Sequence, residues 1–351
     1  MIPRLYGERI NKVLNYLIDA GESSVVLKQL IQATYKSRLN EFDKMVQLPK
    51  STRAKLIDKF GPFISSLRVI SSRDADAATK VLFACHDEEK LEAVSLRFHN
   101  HKSLCISSQS GCAFRCTFCE SGRVGFKRQL TVSEVTDQVF HFQQSQFLGS
   151  ISFMGMGEPL SNPKIFDAIS ALCNPHQFAL SPSRLNVSTI GVIPGILKLN
   201  NEHPNVNLAF SLHSPFPDQR RELMPIEKVY PFQSTLEVLD DRIRLTKNRV
   251  WLAYLLLEGV NDSLEHARAL VDLVKQRPAD IRYLYHINLL PFNRGRTPDE
   301  NHKHVRDISS FRKVIQTAGL SNSYRNSFGR SIDAACGQLY AEYEARSVKK
   351  S

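Results

Sequence analysis

The sequence predicts an α/β protein in which a small helical domain and a strand extension precede a parallel sheet built from βα units. Apolar residues recur at helical spacing near the N-terminus, the period then changes to that of strands, and from about residue 130 to 320 short apolar strands alternate with helical segments. The chain has 351 residues and is 42% hydrophobic, which is sufficient for a large buried core. The strands predicted for the parallel sheet are Ile151–Met154, Leu185–Ser188, Asn207–Leu212, Val250–Leu257 and Tyr285–Leu290.

Residues 1–65 are predicted to form a basic helical accessory domain. Residues 1–60 contain eleven Lys and Arg and six Asp and Glu, a net charge of +5 out of +11 for the whole chain. A basic surface attracts nucleic acid, so RNA contact is one interpretation of this domain and a solvated charged face is the other. The apolar positions that predict its helices are Leu14, Leu17, Ile18, Val26, Leu27, Leu30, Ile31, Leu56 and Ile57.

A strand-rich connector is predicted at residues 66–108, leading into the βα units at 109–320 and a C-terminal segment at 321–351. Two helix starts are marked by capping-box spacing, Thr131 with Glu134 and Asp262 with Glu265. The strand-like stretches of the connector are Leu67–Ile70, Lys80–Ala84 and Glu92–Phe98.

Charge and cysteine content limit the class of protein. A pI near 9.3 fits a nucleic-acid-binding protein and a basic soluble enzyme equally. The seven cysteines are an odd number scattered along a long chain, which argues against a secreted disulfide framework. The first residues show no basic stretch followed by an apolar run, and no segment is long enough to span a bilayer. We therefore expect a cytoplasmic protein with no membrane partner.

Three closely spaced cysteines predict a metal centre. Cys112, Cys116 and Cys119 are separated by three and then two residues, so one loop can place three thiolates around an iron–sulfur cluster. Three protein ligands would leave one iron of a four-iron cube open. A structural zinc site is the competing interpretation, and it would need a fourth ligand at a spacing unlike a zinc knuckle, from His99, His101 or Cys105.

The cysteine loop resembles the C-x3-C-x2-C signature of the radical S-adenosylmethionine (SAM) superfamily, with the aromatic Phe118 before its last cysteine. This resemblance implies a [4Fe–4S] cluster whose open iron binds the amino and carboxyl groups of SAM. It also implies that one electron from the cluster cleaves SAM to a 5′-deoxyadenosyl radical. The implied fold is a partial (β/α)6 barrel of the TIM type at residues 109–320, in agreement with the alternation of strands and helices.

Several motifs follow predicted strands, where the carboxyl ends of parallel strands form the active site of a barrel. The segment Gly155-Met156-Gly157-Glu158-Pro159 follows the first of these strands and resembles the "GGEP" segment of the superfamily. Its glycines would let a ligand approach the backbone, and Glu158 could accept hydrogen bonds from an ammonium group. Each of the other motifs could equally be a cap or a turn: Ser188-Thr189-Ile190-Gly191, Ser211-Leu212-His213 and Asn293.

Further motifs resemble the RlmN/Cfr family of ribosomal RNA adenine methyltransferases, and within it the chloramphenicol-florfenicol resistance type. The likeness extends from about residue 25 to 345. It includes Cys336, whose small neighbours leave its thiol free to move and react. The motifs that carry it, besides the cysteine loop, are Cys105-Ile106-Ser107-Ser108-Gln109, Phe153–Glu158, Leu180-Ser181-Pro182, Ser188–Gly191, Ser211–Pro215, Val260–Ala267 and Asp333–Leu339.

The resemblance implies a radical route, because the C2 and C8 carbons of adenine cannot attack a methyl sulfonium directly. A first SAM methylates Cys336, and the radical made from a second SAM removes a hydrogen from that methyl group. The resulting carbon radical adds to the base, Glu92 takes the proton, and Cys105 releases the product by forming a disulfide with Cys336. The residues implied to contact SAM are Gly157, Glu158, Ser188, Ser211, Leu212, His213 and Asn293.

The implied substrate is 23S rRNA, before or during ribosome assembly, with an electron donor such as flavodoxin. The Ser214-Pro215 pair, the phrase around Phe153 and the pair Leu339-Tyr340 favour methylation of C8 of adenosine 2503, which confers resistance to antibiotics at the peptidyl transferase centre.

Two alternatives stay open: methylation of C2 in ribosomal and transfer RNA, and an RNA-binding protein with a structural zinc or iron–sulfur site. Two residues depart from the family pattern. Glu120 adds negative charge beside the last cluster cysteine, and Ser110 stands where many relatives have a cysteine.

Overall fold

One open sheet of ten strands organises the computed structural model, which describes residues 3–75, 77–99, 101–294, 302–325 and 329–339. A two-stranded sheet, β5 with β6, lies beside it. The strands are β1 Arg68–Ala75, β2 Ala78–Ala84, β3 Lys90–Arg97, β4 Lys102–Cys105, β5 Gln109–Ser110, β6 Arg128–Gln129, β7 Ser150–Phe153, β8 Leu185–Thr189, β9 Asn207–Ser211, β10 Val250–Leu256, β11 Tyr285–Pro291 and β12 Asn322–Tyr324. The large sheet runs in the order β1-β2-β3-β4-β7-β8-β9-β10-β11-β12.

The sheet changes direction at β4. Strands β1 to β4 pair antiparallel, whereas every pair from β4 to β12 is parallel. Each of the first six parallel strands is followed by a helix, and the short β12 adds a seventh in the part of the chain that the structure describes. The predicted α/β fold with a partial (β/α)6 barrel is therefore confirmed. The sequence did not predict β4 or β12.

Helices cover the outer face of the parallel strands. Thr131 forms the predicted capping box with Glu134. The second predicted box is wrong, because α10 is capped by Ser263, which accepts from the backbone N–H of His266, and not by Asp262. The helices are α1 Glu8–Asp19, α2 Ser24–Ile31, α3 Lys50–Phe60, α4 Glu120–Val124, α5 Val132–Gln143, α6 Ile165–Cys173, α7 Ile193–Glu202, α8 Pro217–Leu223, α9 Phe232–Thr246, α10 Leu264–Lys275 and α11 Ser309–Thr317. None of these helices has the length and apolar character needed to cross a bilayer.

Helices α1 to α3 bury a core of their own, which also takes in Phe140 of α5. Most of the predicted apolar positions are buried in it, but Ile18 is 50% exposed. The carboxylate of Glu8 accepts the backbone N–H of Ser133 at 3.0 Å in the first turn of α5. At the end of this region, Asp137 of α5 accepts the backbone N–H of Ser66 at 2.5 Å. The helical part is thus attached to the barrel through α5.

The C-terminal segment lies beside the antiparallel strands. Gly329 packs so closely on Ala78 of β2 that a Cβ at this glycine would lie 2.9 Å from the Ala78 Cβ. Lys80 of β2 donates a 3.1 Å hydrogen bond to the carbonyl oxygen of Asp333, three residues before Cys336. Residues 340–351 of the predicted C-terminal segment, including Tyr340, lie outside the described residues.

Candidate active site

A cavity of about 230 Å³ opens at the carboxyl ends of the parallel strands and gathers most of the predicted site residues. Glu92 and Leu212 are the two predicted residues that do not line it. The predicted residues that line it are Cys105, Cys112, Cys116, Cys119, Gly157, Glu158, Ser188, Ser211, His213, Asn293 and Cys336. Residues from six widely separated stretches of sequence therefore meet in one place.

The cysteine loop is closed at its base by the short ladder of β5 with β6. Gly111 enters the loop with φ 72°, and a Cβ there would lie 1.7 Å from the carbonyl oxygen of Gly125, so the close approach requires glycine. The Cys112 amide donates to that same carbonyl at 3.2 Å. At the far end, Cys119 precedes α4 as its N-cap residue. The loop therefore places its three cysteines by backbone contacts.

The three loop cysteines line the same cavity. Burial raises the pKa of Cys112 to about 12, and the charge of Cys119 raises it further. Burial also raises the pKa of Cys116, with Cys119 and Cys112 adding to the shift. Such thiols become thiolates when a metal binds them.

The three loop thiols line one cavity, and thiolates are the usual protein ligands of iron–sulfur clusters. A structural zinc site would need a fourth ligand beside them. Two of the zinc ligands considered above, His99 and His101, lie before β4, at the end of that strand away from the cavity.

Glu158 joins two neighbouring strands at the cavity. One carboxylate oxygen accepts the hydroxyl of Thr189 at 2.7 Å, and the other accepts the Ile190 amide at 3.0 Å. Burial raises the pKa of Glu158 to about 7, and these hydrogen bonds act in the opposite direction. Gly157 before it has φ 92°, and a Cβ there would lie 2.5 Å from Gln109 Cβ. The predicted carboxylate is thus fixed in place by the end of β8.

The end of β9 presents a neutral histidine to the cavity. His213 accepts the Leu255 amide on Nδ1 at 2.9 Å, so a neutral ring carries its proton on Nε2. Burial lowers the pKa of His213 to about 3, with a further contribution from Arg220. The Phe118 ring of the cysteine loop packs edge-on to this histidine, with centroids 5.1 Å apart. His213 can therefore donate one hydrogen bond from Nε2.

Arg220 holds the turn after β9. It is fully buried, forms an ion pair with Glu227, and donates to the carbonyl oxygens of Ser211 at 3.1 Å and Leu212 at 3.0 Å. The side chain of Leu212, the residue after β9, packs in the main core and does not line the cavity. Any contact of Leu212 with a ligand would have to come from its backbone.

Two of the four cysteines outside the loop, Cys105 and Cys336, line the cavity. Cys105 ends β4, whereas Cys336 is exposed in the C-terminal segment. Burial raises the pKa of Cys105 to about 12, and the nearby Cys336 raises it further. The Gly337 carbonyl accepts the Glu120 amide at 2.9 Å, so the residue after Cys336 is attached to the residue after Cys119. Glu120 itself is buried and lies 3.7 Å from Arg123.

Glu92 is a predicted site residue that does not line the cavity. It is a buried residue of β3, two positions before Val94, which pairs with Cys105 and lines the cavity. Lys80 of the neighbouring strand lies 3.2 Å from its carboxylate. Glu92 is therefore a buried carboxylate and not an exposed one.

Sequence reasoning missed three charged residues around the site: Lys80, Arg220 and Arg325. Arg325 lines the cavity directly after β12. A lysine within the apolar stretch Lys80–Ala84 was the available signal, since a charge in a buried strand requires a partner. For Arg220 and Arg325 no local pattern separates them from surface arginines.

Comparisons with known proteins agree with this site. Residues 106–271 match the family profile described as the Radical SAM superfamily. The chain is 43% identical over 340 residues to the ribosomal RNA large subunit methyltransferase Cfr of Staphylococcus warneri, covering 96% of this chain and 97% of that protein. It is 46% identical over 319 residues to the protein of the same name from Clostridium botulinum strain Loch Maree, covering 90% and 92%. A radical SAM methyltransferase from Sphaerobacter thermophilus superposes with a TM-score of 0.86 at 30% identity, covering 96% of this chain and 99% of that one.

Proposed function

This chain belongs to the Cfr/RlmN family of radical SAM methyltransferases of large-subunit ribosomal RNA, and from that membership we propose that it methylates C8 of adenosine 2503 in 23S rRNA. The family uses a [4Fe–4S] cluster and SAM, two molecules per turnover. The proposed consequence is resistance to antibiotics that bind the peptidyl transferase centre. The choice of C8 is supported by the motifs that resemble the resistance type and by the names of the relatives.

One observation carries the proposal: Cys105 and Cys336 line the same cavity as Cys112, Cys116 and Cys119. The three loop thiols would hold the cluster, which supplies the electron that cleaves SAM. The other two thiols are free cysteines of the same cavity, and neither is needed for a three-thiolate cluster site. A structural metal site in an RNA-binding protein would not need this second pair of thiols.

The SAM site is proposed at the ends of β7 to β11. Glu158, fixed by Thr189 and Ile190, would accept hydrogen bonds from the SAM ammonium group. His213 would donate from Nε2, and Gly157 would let the ligand approach its backbone. The remaining proposed SAM contacts are Ser188, Ser211 and Asn293 at the cavity, and the backbone of Leu212.

The two free thiols have different roles in the transfer of the methyl group: Cys336 would carry it, and Cys105 would release the product. Cys336, exposed at the cavity, would take the methyl group from the first SAM as a nucleophile. After its carbon has bonded to the adenine, the Cys105 thiolate attacks the Cys336 sulfur. The new S–S bond forms as the S–CH2 bond breaks, and the electron pair of that bond stays with the carbon, which takes up a proton to become methyl. The two sulfurs are oxidised and the carbon is reduced, so this step needs no external oxidant.

Glu92 is proposed as the base that takes the proton from the substituted carbon of adenine. The Lys80 ammonium lies 3.2 Å from its carboxylate and would balance its negative charge. Glu92 does not line the cavity, but Val94, two positions further along β3, does. Its role is therefore supported by the charge arrangement and by the family resemblance.

The helical domain is proposed to contact rRNA before or during ribosome assembly. Nine of the eleven Lys and Arg in residues 1–60 are exposed, which leaves their charges available to phosphates. A small electron-transfer protein such as flavodoxin is the proposed reductant.

Mass spectrometry of 23S rRNA from cells that express the chain tests the function. We expect one added methyl group on C8 of adenosine 2503, and none in cells that express Cys336→Ala. A methyl group on C2 would replace the C8 proposal with the alternative regiochemistry. Unmodified rRNA, together with reconstituted protein that does not cleave SAM, would contradict methylation altogether.

A further inference from the structure

Arg325 is a cation of the cavity wall that the steps above do not use. Its backbone N–H donates to the Leu289 carbonyl at 3.0 Å, which fixes the residue at the end of β12. Its guanidinium lies 3.7 Å from the Met154 sulfur. Within the described ranges, no Asp or Glu forms an ion pair with it. A guanidinium in this mainly apolar cavity therefore lacks an anionic partner among these residues.

Met154 connects Arg325 with Cys105. Met154 directly follows β7, the strand that pairs with β4 through Ser152 opposite Cys105. Met154 lies two positions beyond Ser152 on the same chain segment, and its thioether accepts the contact from Arg325 at 3.7 Å. Strands β4 and β12 are the first and last parallel strands, and Cys105 at the end of β4 and Arg325 after β12 line the same cavity.

We propose that Arg325 stabilises the thiolate of Cys105 for its attack on Cys336. This inference rests on the proposed function, which gives Cys105 the task of breaking the S–CH2 bond. The attacking sulfur must be a thiolate, since the thiol is a poor nucleophile. Arg325 acts through the charge of Cys105, so it is a positioning residue and takes no part in bond making.

The groups around Cys105 favour this assignment. Burial raises the pKa of Cys105 to about 12, Cys336 raises it further, and Arg325 is the charged side chain that lowers it. Glu92 lies on β3, two positions before the residue that pairs with Cys105, but Lys80 on β2 balances its charge. Strand β7 contributes no titratable group.

Across the cavity stand Glu158, the neutral His213 and the three loop cysteines. None of these groups adds a positive charge at Cys105.

The test measures the pH dependence of Cys105 alkylation by iodoacetamide in reduced holoprotein, read by mass spectrometry of the peptide that carries Cys105. The cluster shields Cys112, Cys116 and Cys119. In Arg325→Met we expect the alkylation rate to fall about tenfold at every pH below the pKa, including pH 7.5, because each pKa unit changes the thiolate fraction tenfold. Arg325→Lys should restore much of the rate. Arg221→Met, an exposed arginine outside the cavity, is the matched control and should not change it.

An unchanged alkylation profile in Arg325→Met overturns the inference, as does a profile in Arg325→Lys that matches Arg325→Met. If Arg325→Met does not fold, Arg325→Gln gives the same comparison. The alkylation needs neither RNA nor SAM, so its failure is separate from failure of the proposed function. A shifted profile in a protein that never modifies rRNA would contradict the methylation proposal and leave the coupling of Arg325 to Cys105 intact.

Discussion

Lys80 Nζ lies 3.2 Å from Glu92 Oε1, with both side chains only 4% exposed, and the same ammonium also donates to the Asp333 carbonyl. The pair connects the proposed base to the segment that carries Cys336. A buried ion pair adds little net stability, but losing one partner leaves an uncompensated charge in the interior.

Lys80→Met should therefore destabilise the holoprotein strongly. We expect a loss of about 3–5 kcal/mol in unfolding free energy, measured by urea denaturation, because the buried Glu92 carboxylate loses the ammonium that lies 3.2 Å from it. Lys80→Met combined with Glu92→Gln should recover a large part of that loss. Equal stabilities of the single and double variants would mean that the two side chains are not coupled.

Cys105→Ala should trap a covalent complex between protein and RNA. Without the attacking thiol the S–CH2 bond cannot be broken, so a slow-migrating species should accumulate on denaturing gels in the presence of SAM and reductant. Cys336→Ala should give no such species, because it lacks the sulfur that forms the link. Cys173→Ala, a cysteine of α6 outside the cavity, is the control and should turn over normally. Normal turnover of Cys105→Ala would disprove the two-thiol mechanism.

Gly111→Ala should impair assembly of the cluster. The new Cβ would meet the Gly125 carbonyl at 1.7 Å, and the base of the cysteine loop would have to open. We expect the iron and sulfide content after anaerobic reconstitution to fall by about half or more. Gly259→Ala is closely matched, since Gly259 has the same φ of 72° but nothing within 4 Å of its Cβ position. Similar cluster content in both variants would show that backbone strain alone, and not the loop contact, decides the outcome.

Exposed lysines of the helical domain should contribute to rRNA affinity. Replacing three of them with glutamine should weaken binding and reduce the slope of log affinity against log salt by about two, if each contacts a phosphate. Binding isotherms at several salt concentrations measure this slope. The test set is Lys12, Lys28 and Lys36, and the charge-matched control set on the barrel is Lys247, Lys275 and Lys313. An equal loss in both sets would assign the effect to net charge and not to the helical domain.

Stability should depend on pH through Asp137. Burial raises the pKa of this carboxyl to about 7, above its unfolded value of 3.8, so its favourable contribution is complete below the unfolded pKa and is lost as the pH rises to about 7. Asp137→Asn lacks this titration. The difference in Tm, wild type minus variant, should therefore be larger at pH 5 than at pH 8 in thermal shift measurements. A difference that grows with pH would show that the folded pKa is lowered instead.

The barrel could be predicted because its strands are apolar runs between well-marked helices. Strand β4 was not predicted because Lys102–Cys105 has only four residues of mixed polarity. Strand β12 was not predicted because Asn322–Tyr324 is short and polar. Both are strands only because a neighbour pairs with them, which local sequence cannot reveal. The start of α10 was misplaced by one residue since Asp262 and Ser263 are both good caps.

Site residues that belong to a motif of fixed spacing could be predicted from the sequence. Residues that reach the site only through tertiary contacts could not. The three loop cysteines, separated by three and then two residues, predict a metal site from sequence alone. Leu212 belongs to a motif, but its side chain faces the core, so a motif does not say which atoms meet a ligand. Arg325 reaches Met154, 171 positions away in sequence, and no local pattern marks such a contact.

The attachment of the helical part through α5 sets a limit on how small the enzyme can be. A shortened chain that starts at the first barrel strand would expose the Phe140 ring to water and leave the Ser133 amide without its Glu8 acceptor. Because Gln138 of α5 forms hydrogen bonds with the backbone N–H and carbonyl of Ser107, this damage would reach the segment two residues after Cys105. A shortened but active form of this enzyme would therefore have to retain the N-terminal helices.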